Sequence, residues 1–153
     1  MTISEYLKIN AKNNPSKIAY KCGEKEINFL DLFLKVEILS SSMQKKGIQK
    51  GSHVGVLLNN SLELILLFFA IAKVGAVIVP LNGSQNKQDL LKQIKLTNIN
   101  YFFVWQGYFP NLKNIKIIKN KKIFIIGNKI KGYENFNNLF LKKDFNFKKN
   151  KNY

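Results

Sequence analysis

The chain has 153 residues, of which 46% are hydrophobic, so it is long and apolar enough to bury the core of one domain. A single cysteine, Cys22, and a single histidine, His53, exclude an intramolecular disulfide and any metal site built from a cluster of these residues. The formal net charge is +16, from 25 lysines and 9 acidic residues, which by itself suggests an anionic partner.

The chain opens with signals for a short helix and a hairpin. Thr2 followed three residues later by Glu5 is a capping-box pattern, which predicts a helix rather than a signal peptide. The helix is expected to stop before Pro15, because the residue that precedes a proline avoids the α region. Two short β-rich runs, 18–22 and 25–28, are separated by two residues that include a glycine, and they predict a hairpin.

Helices and apolar strands alternate through the middle of the chain, judged from caps, helical spacing of apolar residues and short apolar runs. The pattern first predicts a helix from Phe29 to about Lys46, with Gly47 as its stop, and a strand at His53–Leu58. It next predicts a helix over 62–74, capped by Asn60 and stopped by Gly75, and a strand at Ala76–Val79 closed by Pro80. A helix from Asn86 to about Thr97 and a strand at Tyr101–Val104 follow. This alternation predicts an α/β fold with a largely parallel, doubly wound sheet flanked by helices.

The pattern weakens after Val104. Apolar runs at Ile115–Ile118 and Ile123–Ile126 predict two further strands, and a last short helix is expected from about Asn135 to Lys143. Residues 144–153 carry too few apolar side chains to offset the entropy of ordering a backbone, about 1–2 kcal/mol per residue. We therefore divide the chain into a domain at 1–143 and a basic, disordered tail at 144–153.

Residues 64–81 are a candidate transmembrane segment, because these 18 residues carry a single charge, Lys73. A lysine in the middle of a span costs about 3 kcal/mol on insertion scales. Gly75 interrupts the helix, Pro80 ends the run, and the residues between them are mostly β-branched. We predict a helix, a turn and a strand in a soluble core, and no transmembrane segment.

The positive charge is unevenly distributed and consists entirely of lysine. Residues 1–77 hold 10 lysines and 6 acidic residues, whereas residues 78–153 hold 15 and 3. Arginine, the residue best suited to bidentate pairing and base stacking, is absent, so nucleic acid is not the expected partner. Lysine together with 20 asparagines and abundant Ile and Phe is what an AT-rich coding sequence would enrich. We interpret the charge as a solvated surface, with binding to a polyanion or a membrane surface as the alternative.

A family resemblance is carried by the segment Ala72-Lys-Val-Gly-Ala-Val-Ile-Val-Pro-Leu-Asn82. It resembles the N-terminal region of the adenylate-forming superfamily, where a helix ending in Lys-Ala-Gly leads into a strand and then Pro with Leu or Ile. That superfamily comprises acyl-CoA synthetases, luciferases and the adenylation domains of peptide synthetases, and Pro80-Leu81-Asn82 is most similar to the first. Further segments agree in order and spacing, namely Asn14–Tyr20, Asn28–Leu32, Lys46–Gly51 and Asp89–Val104. Ser52 in place of Asp and Val74 in place of Ala are mild departures.

The resemblance implies the N-terminal subdomain of an AMP-dependent synthetase/ligase in the cytoplasm. A complete member would adenylate a carboxylic acid with ATP and Mg²⁺ and transfer the acyl group to a thiol. The phosphate loop of the family would follow Tyr153, and its adenine-binding motifs, acidic metal-binding residues and C-terminal catalytic lysine have no counterpart in these 153 residues. We therefore expect a truncated or split scaffold portion that binds no cofactor itself, and we name no catalytic, cofactor-binding or metal-ligating residue.

Several side chains could suggest chemistry, and each has a structural interpretation. His53 begins a predicted strand, and Cys22 ends one, with no partner nearby in the chain that would make it a nucleophile. Asn60, Ser61 and Glu63 are interpreted as helix caps, although a helix N-terminus can also bind an anion.

Trp105, Tyr108 and Phe109 follow a predicted strand, and we expect them in the core or at an inter-domain contact rather than stacked on a ligand. Three classes of function remain open. The chain is a piece of a ligase that acts with a second chain or self-associates, or a free-standing non-catalytic interaction module, or a basic binder of polyanions or membrane surfaces. For the first class, the helix at 61–74 is expected to leave an apolar side uncovered.

Overall fold

The structure, a computed structural model, describes residues 2–140. Within them, the helices are α1 (Ile3–Asn13), α2 (Phe29–Lys45), α3 (Leu62–Val74), α4 (Lys87–Thr97) and α5 (Phe109–Lys113). The strands are β1 (Ile18–Cys22), β2 (Lys25–Asn28), β3 (His53–Leu57), β4 (Val77–Pro80), β5 (Tyr101–Trp105), β6 (Lys122–Ile126) and β7 (Glu134–Asn135). The predicted tail at 144–153 and the end of the last predicted helix lie outside the described residues.

One parallel sheet organises the domain, with strands in the order β4-β3-β5-β6-β7. Each strand of this sheet pairs in parallel with its neighbour, while β1 and β2 form a separate antiparallel hairpin. A core cluster that includes Val54, Val56 and Phe103 packs under α1, α2 and α3. A second cluster, which includes Phe102 and Val104, packs under α4 and α5. The predicted α/β fold with a parallel, doubly wound sheet is confirmed.

The helix starts show how local sequence positions the elements. In α1, the Thr2 Oγ1 accepts from the Glu5 amide at 3.2 Å, and the Glu5 carboxylate accepts from the Thr2 amide at 2.6 Å. The side chain of Asn28 accepts from the Asp31 amide at 2.7 Å at the start of α2. These contacts satisfy amides that a helix N-terminus leaves without an intrahelical partner.

Of the residues interpreted as caps of α3, Ser61 is the N-cap, and the prediction that Asn60 caps the helix is wrong. The Ser61 Oγ accepts from the Leu64 amide at 3.2 Å, and the Ser61 backbone is extended with φ −160°. Asn60 instead offers its carbonyl oxygen to the Cys22 thiol at 3.7 Å. At the other end of the helix, Gly75 adopts the predicted left-handed conformation with φ +77°.

The segment after β5 departs most from the sequence-based expectation. The run Ile115–Ile118 contains a 3-10 helix at Lys116–Ile118 instead of a strand. Ile115 and Ile118 are both buried in the second cluster, so a spacing of three, rather than strand alternation, brings these two side chains to one side. The last predicted helix is replaced by β7 followed by a 3-10 helix at Phe136–Phe140, and the short helix α5 was not anticipated.

The segment tested as a span forms α3, a turn at Gly75 and β4. Within residues 2–140, no helix combines the length and the apolar character needed to cross a bilayer. The predicted arrangement of helix, turn and strand is therefore the one observed.

Candidate functional site

The chain leaves the carboxyl ends of the adjacent strands β3 and β5 toward opposite faces of the sheet. From β3 it continues into α3, which packs on the first cluster, and from β5 into α5, which packs on the second. Such a point, where connections diverge between neighbouring strands, opens a crevice in which α/β proteins bind ligands. The candidate site of this chain is therefore the carboxyl edge between β3 and β5.

A cleft of about 310 Å³ lies at this position. Its lining includes Lys25, Asn59, Ser61, Glu63, Trp105 and Gly127. The volume is at the lower end of those that hold small ligands. Cleft residues come from the hairpin, from the β3–α3 loop and from the ends of β5 and β6, so four separate parts of the chain form one concave surface.

Aromatic side chains connect the loop that follows β3 with the loop that follows β5. The Tyr108 hydroxyl donates to the Asn59 side-chain oxygen at 2.5 Å, and the Trp105 and Tyr108 rings meet edge to face at 5.2 Å. A Cβ on Gly83 would lie 2.5 Å from the Tyr108 ring, and one on Gly107 would lie 2.0 Å from the Trp105 ring. Both glycines are therefore needed for the close approach of these rings.

The cleft holds one loose ion pair. Lys25 Nζ lies 4.0 Å from the Glu63 carboxylate, and Glu63 is in the first turn of α3. Burial raises the pKa of the nearby Tyr20 phenol, and a hydrogen bond with Cys22 and the charges of Cys22 and Glu63 raise it further.

His53 is not brought to the cleft. Its Nδ1 lies 2.5 Å from the carbonyl oxygen of Thr97 at the amino end of β3, the opposite edge of the sheet. Phe109 is buried in the second cluster, with its ring 4.6 Å from the ring of Tyr133, whereas Trp105 is 40% exposed at the cleft. Of the aromatic residues noted in the sequence, Trp105 thus lines the cleft, and Tyr108 contacts the lining residues Trp105 and Asn59.

The described residues do not fit ATP with Mg²⁺. Within residues 2–140, no three His, Cys, Asp or Glu side chains are grouped so as to hold a metal ion. The carboxylate in the cleft is that of Glu63, which faces Lys25. It lies at the N-terminus of α3, where its negative charge would repel a bound phosphate. The cleft also has no glycine-rich loop followed by a lysine and a hydroxyl residue.

Comparison with known proteins is decisive for the family. The sequence model of the AMP-binding enzymes matches residues 7–142. The chain belongs to the AMP-binding enzyme family. The resemblance to adenylate-forming enzymes, noted in residues 72–82, is confirmed.

Individual members of the family show how much of it this chain represents. It is 32% identical over 93 residues to the 2-succinylbenzoate–CoA ligase of Bacillus thuringiensis subsp. konkukian, covering 61% of this chain and 19% of that ligase. It is 33% identical over 113 residues to tyrocidine synthase 3 of Brevibacillus parabrevis, covering 73% of this chain and 2% of that protein. The fold matches the crystal structure of coronafacic acid ligase from Pectobacterium brasiliense with a TM-score of 0.84 at 23% identity, over 92% of this chain and 29% of the other. The chain therefore spans about a fifth of the CoA ligase.

Proposed function

We propose that this chain supplies the N-terminal scaffold of an acyl-CoA-synthetase-like, ATP-dependent carboxylate ligase and is not catalytic alone. The supporting observation is the match of residues 7–142 to the AMP-binding family in a chain that spans 19% of its ligase relative. The catalytic segments belong to the remainder of a ligase, whether that remainder lies on the same polypeptide or on a second chain. With ATP as the co-substrate, the proposal places the protein in the cytoplasm.

The reaction of the complete enzyme has two steps. A carboxylate oxygen attacks the α-phosphorus of ATP, forms the acyl adenylate and releases pyrophosphate. The sulfur of a thiol then attacks the acyl carbon, forms the thioester, loses its proton and releases AMP. Within this scheme ATP and Mg²⁺ are held outside residues 2–140, and the role of the parallel sheet is to brace the segments that hold them.

The outer side of α3 is the contact surface for those segments. Its inner residues Leu67 and Ile71 are fully buried, yet Phe68 is 39% exposed and Leu64 is half-buried. The helix has charged side chains only at Glu63 and Lys73, so its outer side is also apolar. An apolar side of this kind requires cover from another part of a protein.

The open edge of the sheet lies next to this helix. The amides of Val77 and Leu81 donate toward β3, to Ser52 and Val56, at 2.8 and 2.9 Å. The N–H and C=O of Ile78 therefore point the other way, where no strand of residues 2–140 pairs with β4. A strand from the remainder of the ligase would satisfy these groups.

A chimera tests the proposal. Residues 1–142 would replace the matching N-terminal segment of the Bacillus thuringiensis 2-succinylbenzoate–CoA ligase. We expect exchange of pyrophosphate into ATP that depends on 2-succinylbenzoate, and none from the ligase remainder without any N-terminal segment. A folded, monodisperse chimera without exchange, together with the same result in coronafacic acid ligase, would contradict the scaffold function.

A further inference from the structure

Lysines gather at the amino edge of the parallel sheet, opposite the cleft. We define the amino-edge face by six lysines and one leucine that come shortly before β3, β5 and β6 or begin β6: Lys46, Lys50, Lys95, Leu96, Lys119, Lys121 and Lys122. Within residues 2–140, the carboxylate that forms an ion pair on this face is Glu134, which lies 2.6 Å from Lys46. The face therefore carries a net positive charge.

Hydrogen bonds connect the loops that carry these residues. The carbonyl of Thr97, next to Leu96, bonds His53, and the Asn100 amide donates to the His53 carbonyl at 3.1 Å. Lys121 Nζ donates to the Asn100 side chain at 2.7 Å. The end of α4 and the starts of β3, β5 and β6 thus form one continuous edge.

The same edge includes the end of α2. Lys122 Nζ donates to the Lys46 carbonyl at 2.7 Å, and the Tyr101 hydroxyl donates to the Gly47 carbonyl at 2.7 Å. Lys50 packs beside Gly75, whose Cβ position would lie 3.2 Å from the Lys50 Cγ. Lys46, after α2, is therefore a neighbour of Lys122 at the start of β6, and Lys50, in the same connection, lies beside the turn at Gly75.

The helix termini explain why charge separates between the two edges. Helices that connect parallel strands begin at the carboxyl edge, and acidic residues occupy their first turns at Glu63 and Asp89. Helices end at the amino edge, where lysines such as Lys95 complement the partial negative charge of the terminus. Lysine is abundant everywhere in this sequence, but the fold keeps the capping carboxylates away from this edge.

Two apolar side chains are exposed at the amino edge. Leu96, in the last turn of α4, is 86% exposed, because it lies on the side of the helix opposite the buried Leu90 and Ile94. Val77 begins β4, pairs with His53 and is 44% exposed. Leu96 has Lys92 one turn before it and Lys95 beside it, so an apolar tip projects between positive charges.

We propose that the amino-edge face docks on an anionic lipid bilayer. Clustered lysines are attracted to the negative headgroups, and exposed aliphatic side chains enter the boundary between headgroups and acyl chains. The face has no arginine and no aromatic residue, and the adjacent Tyr101, at the start of β5, is half-buried with its hydroxyl bonded. A nucleic-acid surface would need stacking or bidentate groups that this face does not offer.

Docking at this edge is independent of the proposed ligase scaffold. The cleft opens at the carboxyl edge, so the amino edge can contact a membrane while the cleft faces the aqueous phase. Neither Phe68 nor the open side of β4 is part of the amino-edge face.

Vesicle co-sedimentation of the 153-residue chain tests the proposal. We expect binding to phosphatidylcholine vesicles that contain phosphatidylglycerol, and none to phosphatidylcholine alone. Raising the ionic strength from about 0.01 M to about 0.15 M shortens the Debye length from about 30 Å to about 8 Å and should weaken the binding. Equal binding to neutral and anionic vesicles, or no binding to either, would overturn the proposal.

Charge-matched variants locate the surface. The triple substitution Lys50→Glu, Lys95→Glu and Lys119→Glu should lower vesicle affinity about tenfold or more. A control triple, Lys8→Glu, Lys12→Glu and Lys17→Glu, changes the net charge equally but lies on or beside α1. Equal losses from the two triples would show that only the total charge matters and would overturn the assignment of the face.

A substitution of the exposed leucine tests insertion. Leu96→Ser should lower affinity for anionic vesicles several-fold, whereas Ile9→Ser, at an exposed position on α1, should leave it unchanged. An unchanged affinity of Leu96→Ser would contradict insertion. Tighter binding to a single-stranded oligonucleotide than to the anionic vesicles would identify a nucleic-acid surface and overturn the proposal.

Discussion

At the residue scale, Ser61 sets the start of the helix beside the cleft. Its hydroxyl satisfies the Leu64 amide, and its position brings Glu63 into the first turn opposite Lys25. Asn60 directly before it uses its backbone carbonyl, rather than its side chain, to accept from Cys22. Two adjacent residues that are both good caps by type thus have different roles.

Substitution of the two residues separates these roles. Ser61→Ala should lower the free energy of unfolding by about 1 kcal/mol, because one helix amide loses its acceptor. Asn60→Ala keeps the backbone carbonyl and should change stability by less than about 0.5 kcal/mol. Urea unfolding followed by circular dichroism measures both, and an equal cost for the two substitutions would contradict the assignment of Ser61 as the cap.

The glycines around the aromatic pair offer a second prediction at the residue scale. Gly83→Ala should cost about 1–3 kcal/mol, because the new Cβ would lie 2.5 Å from the Tyr108 ring. In a Tyr108→Ala background the same substitution should cost much less, since the ring it meets is gone. Thermal unfolding of the four variants gives the coupling, and additive effects would show that Tyr108 does not require a glycine at position 83.

At the scale of elements, α3 has two sides with different tasks. The inner side packs on the sheet through fully buried Leu67 and Ile71, and the outer side exposes Phe68. Helices α1 and α2 also contact α3, so the uncovered apolar surface is narrower than an isolated helix of this composition would present. Substitutions on the inner side of α3 should therefore change the stability of this chain, whereas substitutions on the outer side should change the docking of a ligase remainder.

Phe68→Glu should leave the isolated chain folded, with a loss of less than about 1 kcal/mol, because the position is 39% exposed. In the chimera it should abolish most pyrophosphate exchange, since the interface would bury an unpaired charge. Leu96→Glu is the control at an exposed apolar residue away from α3, and Leu67→Glu should unfold the chain. Full exchange by the Phe68→Glu chimera would show that the outer side of α3 is not the interface.

At the scale of the whole molecule, the parallel sheet carries a cleft at its carboxyl edge, lined by side chains that include Lys25, Glu63 and Trp105. Adenylation needs groups that hold the carboxylate in line with the α-phosphorus and that stabilise the charge that develops there. The cleft supplies an ion pair, a helix start and the aromatic ring of Trp105, and His53 lies at the other edge of the sheet.

The isolated 153-residue chain should therefore exchange no pyrophosphate into ATP with any carboxylic acid. Tight ATP binding is also not expected, because the helix start in the cleft carries Glu63. Radiolabelled exchange and calorimetric titration of ATP with Mg²⁺ measure the two properties. Exchange above that of a buffer control would show that the chain has a catalytic site of its own.

Elements with strong local signals were predictable from sequence. Thr2 with Glu5 and Asn28 with Asp31 marked helix starts, Gly47 and Gly75 marked helix stops, and the hairpin bounds matched the structure. The secondary structure of short apolar runs was not predictable from such local signals. The run at Ile115–Ile118 has the composition of a strand, but it pairs with no strand within residues 2–140, and its 3-10 helix buries Ile115 and Ile118 in the second cluster.

By itself, the sequence determined the membership in the AMP-binding family, the alternation of helices and strands and the parallel character of the sheet, because caps, periodicity and short motifs act locally. Tertiary structure alone decided the strand order, the cleft between β3 and β5 and the lysines at the amino edge. Each depends on pairing between distant residues, such as Val54 with Tyr101 and Tyr101 with Lys122. Parallel registers of this kind form only when the helices pack on both faces, so no local pattern specifies them.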